Sequence, residues 1–294
     1  VLPASVATGL DFTFNSIVIG KGANSVAGNT VLGEGALDAS VSGGENIAVG
    51  KNALTALTSG TKNTAVGNVT LEDLTTGSNN TALGADALKN TTTASDNIAV
   101  GKDALAINTT GTGNVAVGVN ALDANTTENY GTAIGFNVLT ANTGGTNPTA
   151  LGAYALNANT TGDYNTACGY SALELNTTGS SNTAVGHKSL EANTTAGNNT
   201  AVGYNSLLSN TTGEQNVAIG AFALDANTTA NNNIAIGYEA LTNNTTGTRN
   251  LGIGRRAVKA TTTGNDNTGV GYHALELNTT GVSNVAVGTQ ALDA

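Results

Sequence analysis

"NTAVGYNSLLSNTTG", residues 199–213, is a sentence that this chain writes again and again. Aligned on Gly203, the same glycine falls at Gly33, Gly50 and every seventeenth residue onward to Gly288, sixteen copies with no insertion or deletion. Loops ordinarily tolerate changes of length. A register held this strictly gives each residue of the unit a fixed place in a stack.

The columns read physically. The residue before the glycine is always apolar, from Leu32 and Val49 to Val287, with Cys168 in the same column. Two before it the residue is small, usually Ala, and three before it stand Thr, Ile, Val or Leu. That is a short strand with period-two alternation. Its branched column is expected in the core, which makes Cys168 a buried, inert thiol. Its small column is expected to let another layer or another chain approach closely. Four residues after the glycine comes Leu, with Val258 as the exception. This second apolar ladder predicts a second short strand, and the Asn-Thr-Thr-Gly that follows predicts a polar turn. A further Asn stands four before the glycine, replaced by Gly131 and Pro148 in two copies. Stacked coils place such Asn residues above one another at about 4.8 Å, where amides can bond in ladders.

The expected fold is therefore all-β, a parallel β-solenoid or β-roll of sixteen 17-residue coils over residues 30–294, whose Leu and Val columns form a core no single coil could bury. Helices are disfavoured, because Gly and Asn-Thr-Thr recur too often and no 3.6 period is sustained. Residues 1–29 are irregular and predict a capping or exchange segment, with "LDFTF" (10–14) as its strand. The last copy stops six residues after Gly288. Open sheet edges need covering, so end-to-end docking of copies into a filament is expected. A 17-residue coil is short, and the Ala column suits a symmetric partner, which predicts a homotrimer.

Composition narrows the functions. Only 10% of the residues are charged, the net charge is −10 and the pI about 4.4. On this count no nucleic-acid partner is expected, since phosphate binding needs Lys and Arg. The one basic group, Arg249, Arg255, Arg256 and Lys259, is expected on solvated surface. No apolar run reaches a membrane span, and no basic n-region with an apolar h-region predicts a signal peptide. The chain opens Val-Leu-Pro, without Met.

"NIAVG" (46–50 and 97–101), "NVAIG" (216–220), "NNIAIG" (232–237) and "NSIVIGKGANSVAGNTVLG" (15–33) resemble the head repeats of trimeric autotransporter adhesins. The resemblance covers roughly residues 15–294 and implies a left-handed roll, trimeric association, and a place at the cell surface with glycan or host surface as partner. The unit here is longer, by the Asn-Thr-Thr-Gly turn, and neither a stalk coiled coil nor a membrane anchor is present in it. The longer unit is also similar to repeats in bacteriophage tail fibres, which would place it on a virion.

No pattern predicts catalysis, a metal or a cofactor. His187 and His273 are 86 residues apart, and both are expected on the surface. The calcium repeat Gly-Gly-x-Gly-x-Asp is absent, as is the phosphate-binding G-x-x-x-x-G-K-[ST]. The expectation is a non-enzymatic extracellular structural or adhesive fibre, with a tail-fibre shaft, or a glycan- or ice-binding solenoid, as alternatives. Two features are candidate sites. Phe136, Tyr170, Tyr204, Tyr238 and Tyr272 follow the glycine in every second coil, as a duplication trace or as an aromatic stripe for a sugar or a partner. Asn108, Asn125, Asn159, Asn176, Asn193, Asn210, Asn227, Asn244 and Asn278 are formal glycosylation sequons, and equally a turn-and-ladder column. A Thr array raises ice binding, but consecutive Thr residues on a strand alternate in direction.

Overall fold

A computed structural model describes residues 11–293. The chain divides into two compact units, 1–146 and 147–294. In the first, β1 (Phe12–Phe14) and β2 (Ile17–Gly20) form a hairpin, and β2 pairs antiparallel with β3 (Thr30–Gly33). Then follow β4 (Ile47–Val49), β5 (Thr64–Val66), β6 (Thr81–Leu83), β7 (Ile98–Val100), β8 (Val115–Val117) and β9 (Thr132–Ile134). From β3 to β9 each strand pairs in parallel with the next. The second unit holds nine strands, from β10 (Thr149–Leu151) and β11 (Thr166–Cys168) to β18 (Val285–Val287), again parallel and in sequence. Thr183, Ala184 and Val185 lie against Thr200, Ala201 and Val202, so like residues stack. The chain is a parallel β-solenoid. The hairpin pairs with β3 of its own chain, where the irregular N-terminal segment left cap and exchange equally open.

The direction of the strand columns reverses the expectation. The Ala column points inward: Ala184, Ala201 and Ala218 are fully buried. The branched columns on either side point outward, as Leu83, Ile98 and Ile219 show, and Cys168 is exposed rather than a core thiol. What the small column meets is the chain's own Leu ladder. A Cβ added to Gly252 would lie 3.3 Å from Leu241 Cγ and 3.0 Å from the Ala257 carbonyl. No partner chain is needed to fill that space, so the Ala column gives no ground for a trimer.

The Leu column is in the core as expected, with Leu173, Leu190 and Leu207 fully buried. It is not a second strand. Asn205 (φ 53°), Leu207 (φ 51°) and Gln215 (φ 59°) occupy the left-handed region, and the same positions do so in coil after coil. That region costs a non-glycine residue about 1–2 kcal/mol. Burying a Leu side chain returns about 1.5–3 kcal/mol, and the twisted peptides still bond between coils, Leu207 N–H to the Ala223 carbonyl at 3.0 Å. Gly203 (φ 138°) turns the strand into this segment, and a Cβ there would stand 2.7 Å from the Gly220 carbonyl group.

Two amide ladders are present in each unit, the second of them in the first unit only from Asn108 onward. In the column four before the glycine, the side chain clasps the backbone of the next coil. Asn199 Oδ1 accepts the Asn216 backbone N–H at 2.9 Å, and Asn199 Nδ2 donates to the Gly213 carbonyl at 2.9 Å. The clasp repeats from Asn46 to Asn114 and from Asn165 to Asn267, all fully or almost fully buried. The second ladder joins amide to amide. Asn176, Asn193, Asn210, Asn227 and Asn244 each donate Nδ2 to the Oδ1 of the Asn one coil earlier, at 2.8–3.1 Å. Beside it the first Thr of the turn donates its hydroxyl to its counterpart's carbonyl, Thr194 to Thr211 at 3.1 Å.

Two irregularities after Gly254 explain themselves. Val258, the one residue that replaces Leu, lies beside Gly269, where Ala would put its Cβ 2.6 Å from Val258 Cγ2. Thr261 replaces Asn in the amide ladder, and Asn244 Oδ1 is left buried without a donor. Gly269→Ala is expected to cost about 1–3 kcal/mol by overpacking, and Val258→Leu in the same chain to recover most of it, as read by urea unfolding of both variants. Thr261→Asn should close the ladder and stabilise the second unit by about 1 kcal/mol. An unchanged or lower midpoint would show that the gap is harmless.

Candidate functional site

The residue after the glycine stands at the exit of the Gly turn, where its side chain leaves the coil toward solvent. Tyr170, Tyr204, Tyr238 and Tyr272 are between 42% and 49% exposed. Phe136, in the first unit, is 46% exposed. In the second unit the intervening coils are not gaps. Tyr154 meets Tyr170 edge to face with centroids 5.8 Å apart. His187 lies stacked between Tyr170 and Tyr204, at 5.3 and 5.2 Å with planes 15° and 14° apart. Phe222 stands edge-on between Tyr204 (5.3 Å) and Tyr238 (6.1 Å). Arg255 then lies over both Tyr238 and Tyr272, its guanidinium carbon 5.8 and 5.7 Å from the ring centres, and it donates to the Tyr272 hydroxyl at 3.1 Å.

The stripe is thus a continuous ladder, one π or cationic group per coil. Its two edge-on rungs were hidden in the sequence because Tyr154 and Phe222 sit one residue later than the others, after Ala153 and Ala221. Reading both post-glycine columns together would have shown it. The geometry limits the chemistry. Sugars stack on open ring faces, whereas the faces of Tyr170, His187 and Tyr204 are covered by one another. Offset and edge-to-face pairs contribute about 0.5–1.5 kcal/mol each, and a cation over a ring about 0.5–1 kcal/mol at exposed sites. Ring edges, phenol groups and the imidazole edge are what the ladder offers to solvent.

The basic group expected on solvated surface is tied down. Arg256 Nε and Lys259 Nζ both reach Glu239 Oε2 at 2.8 Å, from the coil after it. Arg256 also approaches Glu276 at 3.9 Å, and Glu276 pairs with His273. The His273 side chain is only 14% exposed, so it is not the surface histidine expected. Arg249 holds Asp266 with two bonds, at 2.6 and 2.8 Å. Lys259, then Tyr238 and Arg256, hold the Glu239 carboxyl down at about 2 against the cost of burial. Burial pushes the Asp225 carboxyl up to about 6, against nearby backbone N–H groups that lower it.

The sequon amides are spoken for. Asn108, Asn125, Asn159, Asn176, Asn193, Asn210, Asn227 and Asn244 are at most 1% exposed. Asn210 Nδ2 donates both to Asn193 Oδ1 (3.0 Å) and to the Gly213 carbonyl (2.9 Å). Asn278 is half-buried, with Nδ2 donating to Thr261 and to Gly281. A glycan on any of these nitrogens would have to displace a hydrogen bond within the turn or the ladder. The second Thr of each turn, such as Thr212, is the exposed one.

Among the described residues no three His, Cys, Asp or Glu side chains come together as a metal site, and no helix is long and apolar enough to cross a membrane. The class defined by fold and surface is a β-solenoid repeat protein. No family model matches the chain, and no curated protein or solved structure matches it. The resemblance to adhesin heads and tail fibres rests on the quoted motifs alone.

The two shifted carboxylates have opposite signatures. Between about 4 and 6 folded Asp225 keeps a proton that an unfolded Asp releases, so its contribution to stability falls as pH rises through that window. Asp225→Asn should raise the melting point at neutral pH and leave it unchanged below about 4. Glu239 stabilises above its unfolded value of 4.5, and that stability is lost as pH falls through about 2. Glu239→Gln should lower stability at neutral pH, by about 0.5–1 kcal/mol for each part-buried pair lost, with the difference closing in strong acid.

Proposed function

We propose that the chain is a non-enzymatic structural element of an extracellular fibre, a solenoid shaft whose repeat exists to be stacked. One observation carries the reading. The constant polar residues of the repeat are spent on joining one coil to the next: the clasping Asn, the ladder Asn and the turn Thr, in both units. A repeat built for binding would hold its constant polar groups toward solvent. Extracellular placement is an expectation drawn from the motif resemblance, as are adhesive and virion roles. The β1–β2 hairpin occupies the edge of β3 in its own chain, so end-to-end growth would have to pass through the hairpin.

The test is mechanical and cellular together. Single-molecule pulling should unfold each unit in steps that release whole coils, with Asn216→Ala lowering the force at its own step, because two buried backbone groups lose their partners at about 1–3 kcal/mol each. Labelling of intact cells with an antibody to the chain should decorate surface fibres. Unfolding at forces typical of loose chain, or label confined to the cell interior, would reject the shaft and its location respectively.

A further inference from the structure

The outward face of each strand ladder is a surface that the shaft role leaves unused. It consists of two columns, the residues three and one before the glycine. In the second unit these run Thr149 and Leu151, Thr166 and Cys168, Thr183 and Val185, and so on to Val285 and Val287. Leu151 and Val185 are 36% exposed, and Ile219 and Ile234 39%. All 30 charged residues of the chain lie outside these two columns, in both units. In a chain of net charge −10, a stripe kept wholly free of charge is a surface kept free of water-seeking groups.

Its size and periodicity say what covers it. Nine strands at about 4.8 Å make the stripe of the second unit about 38 Å long and, with two side-chain columns, about 10 Å wide. That is roughly 400 Å² of uncharged surface, in which Thr149, Thr166, Thr183, Thr200 and Thr268 stand among apolar residues, and it matches the largest patch that a soluble monomer exposes. The first unit carries uncharged columns of the same kind, over the seven strands from β3 to β9. Periodicity is the stronger constraint. A helical partner advances about 5.4 Å per turn, so over eight rungs it would slip against this face by about 4.8 Å, a whole row. Only a surface of equal pitch keeps every row seated between rows of its partner, as in dry strand-to-strand zippers.

We propose that the strand face is a lateral interface that takes the strand face of a second copy of this chain. The two faces meet as uncharged zippers, with the acidic groups of both copies turned away from the seam. This pairing differs from end-to-end growth and from contact through the Ala column. The shaft reading would survive its failure, since a monomeric shaft needs no seam.

Sedimentation of the full chain decides it. The wild type should associate at micromolar concentration, and more strongly at high salt, because screening weakens the repulsion between copies. Val202→Lys with Ile219→Lys should weaken association about tenfold or more, while Thr212→Lys, an equal charge on an exposed turn, should leave it unchanged. A nitroxide on Cys168 supplies a readout that needs no change to the stripe's charge. It should lose mobility as the assembly forms. A wild type that stays monomeric overturns the proposal, and if that monomer facets growing ice crystals the stripe belongs to ice instead. Assemblies that tolerate both lysines, or that leave the Cys168 label mobile, overturn it equally.

Discussion

The structure depends on one bond pattern, the clasp of each buried Asn side chain on the backbone of the following coil. Asn199 accepts from the Asn216 N–H and donates to the Gly213 carbonyl, so it serves the peptide groups on both sides of the turn above it. Those groups lie inside the coil, away from water, where an unpaired donor or acceptor costs about 1–3 kcal/mol. The side chain that satisfies them must carry one acceptor and one donor a fixed distance apart. Asn is the shortest residue that does. The other polar ladder is more permissive, since Leu57 and Leu74 fill its place in two early coils and are fully buried there. The clasping column is Asn in all but two coils. Its two exceptions, Gly131 and Pro148, stand close to the division between the two units at residues 146 and 147.

With the turn held by the clasp, the rest of the coil has little choice. The wall opposite the strand must cross the coil in a few residues while still bonding to its neighbours. It does so by placing alternate residues, Asn205 and Leu207, in the left-handed region. Leu207 then points at the strand from close range, and only a small side chain fits across from it. This is why the Ala column faces in and the branched columns face out. The pair of Val258 and Gly269 shows the same constraint as an exception, with the β-branched residue matched by the loss of a methyl opposite.

The outward surfaces divide by chemistry. The strand face is uncharged and the two columns after the glycine carry rings and ions. Equal spacing of coils turns side chains that recur there into a ladder, whether Tyr on His or Arg256 on Glu239. Such ladders stiffen the stack as they form, because each group holds its neighbour in register.

Much of this was legible in the sequence, for a physical reason. A repeat without insertions states its own register, so the 17-residue coil, the parallel strands, the Leu core and the Asn ladders could be read from residue columns alone, though not that the Asn columns are buried or that one of them clasps backbone. The tertiary structure decided which face of a three-residue strand lies inside. Alternation shows that Ala201 points opposite to Thr200 and Val202, but not which side is the core, and the usual preference for burying the larger residue pointed the wrong way. It also decided that Leu207 belongs to a left-handed turn, a conformation that no propensity assigns to Leu. It joined Tyr154 and Phe222 to the aromatic column, because side chains one residue apart can reach the same line in space. Local order follows from the pattern of the chain, whereas inside and outside follow from what the opposite wall leaves room for.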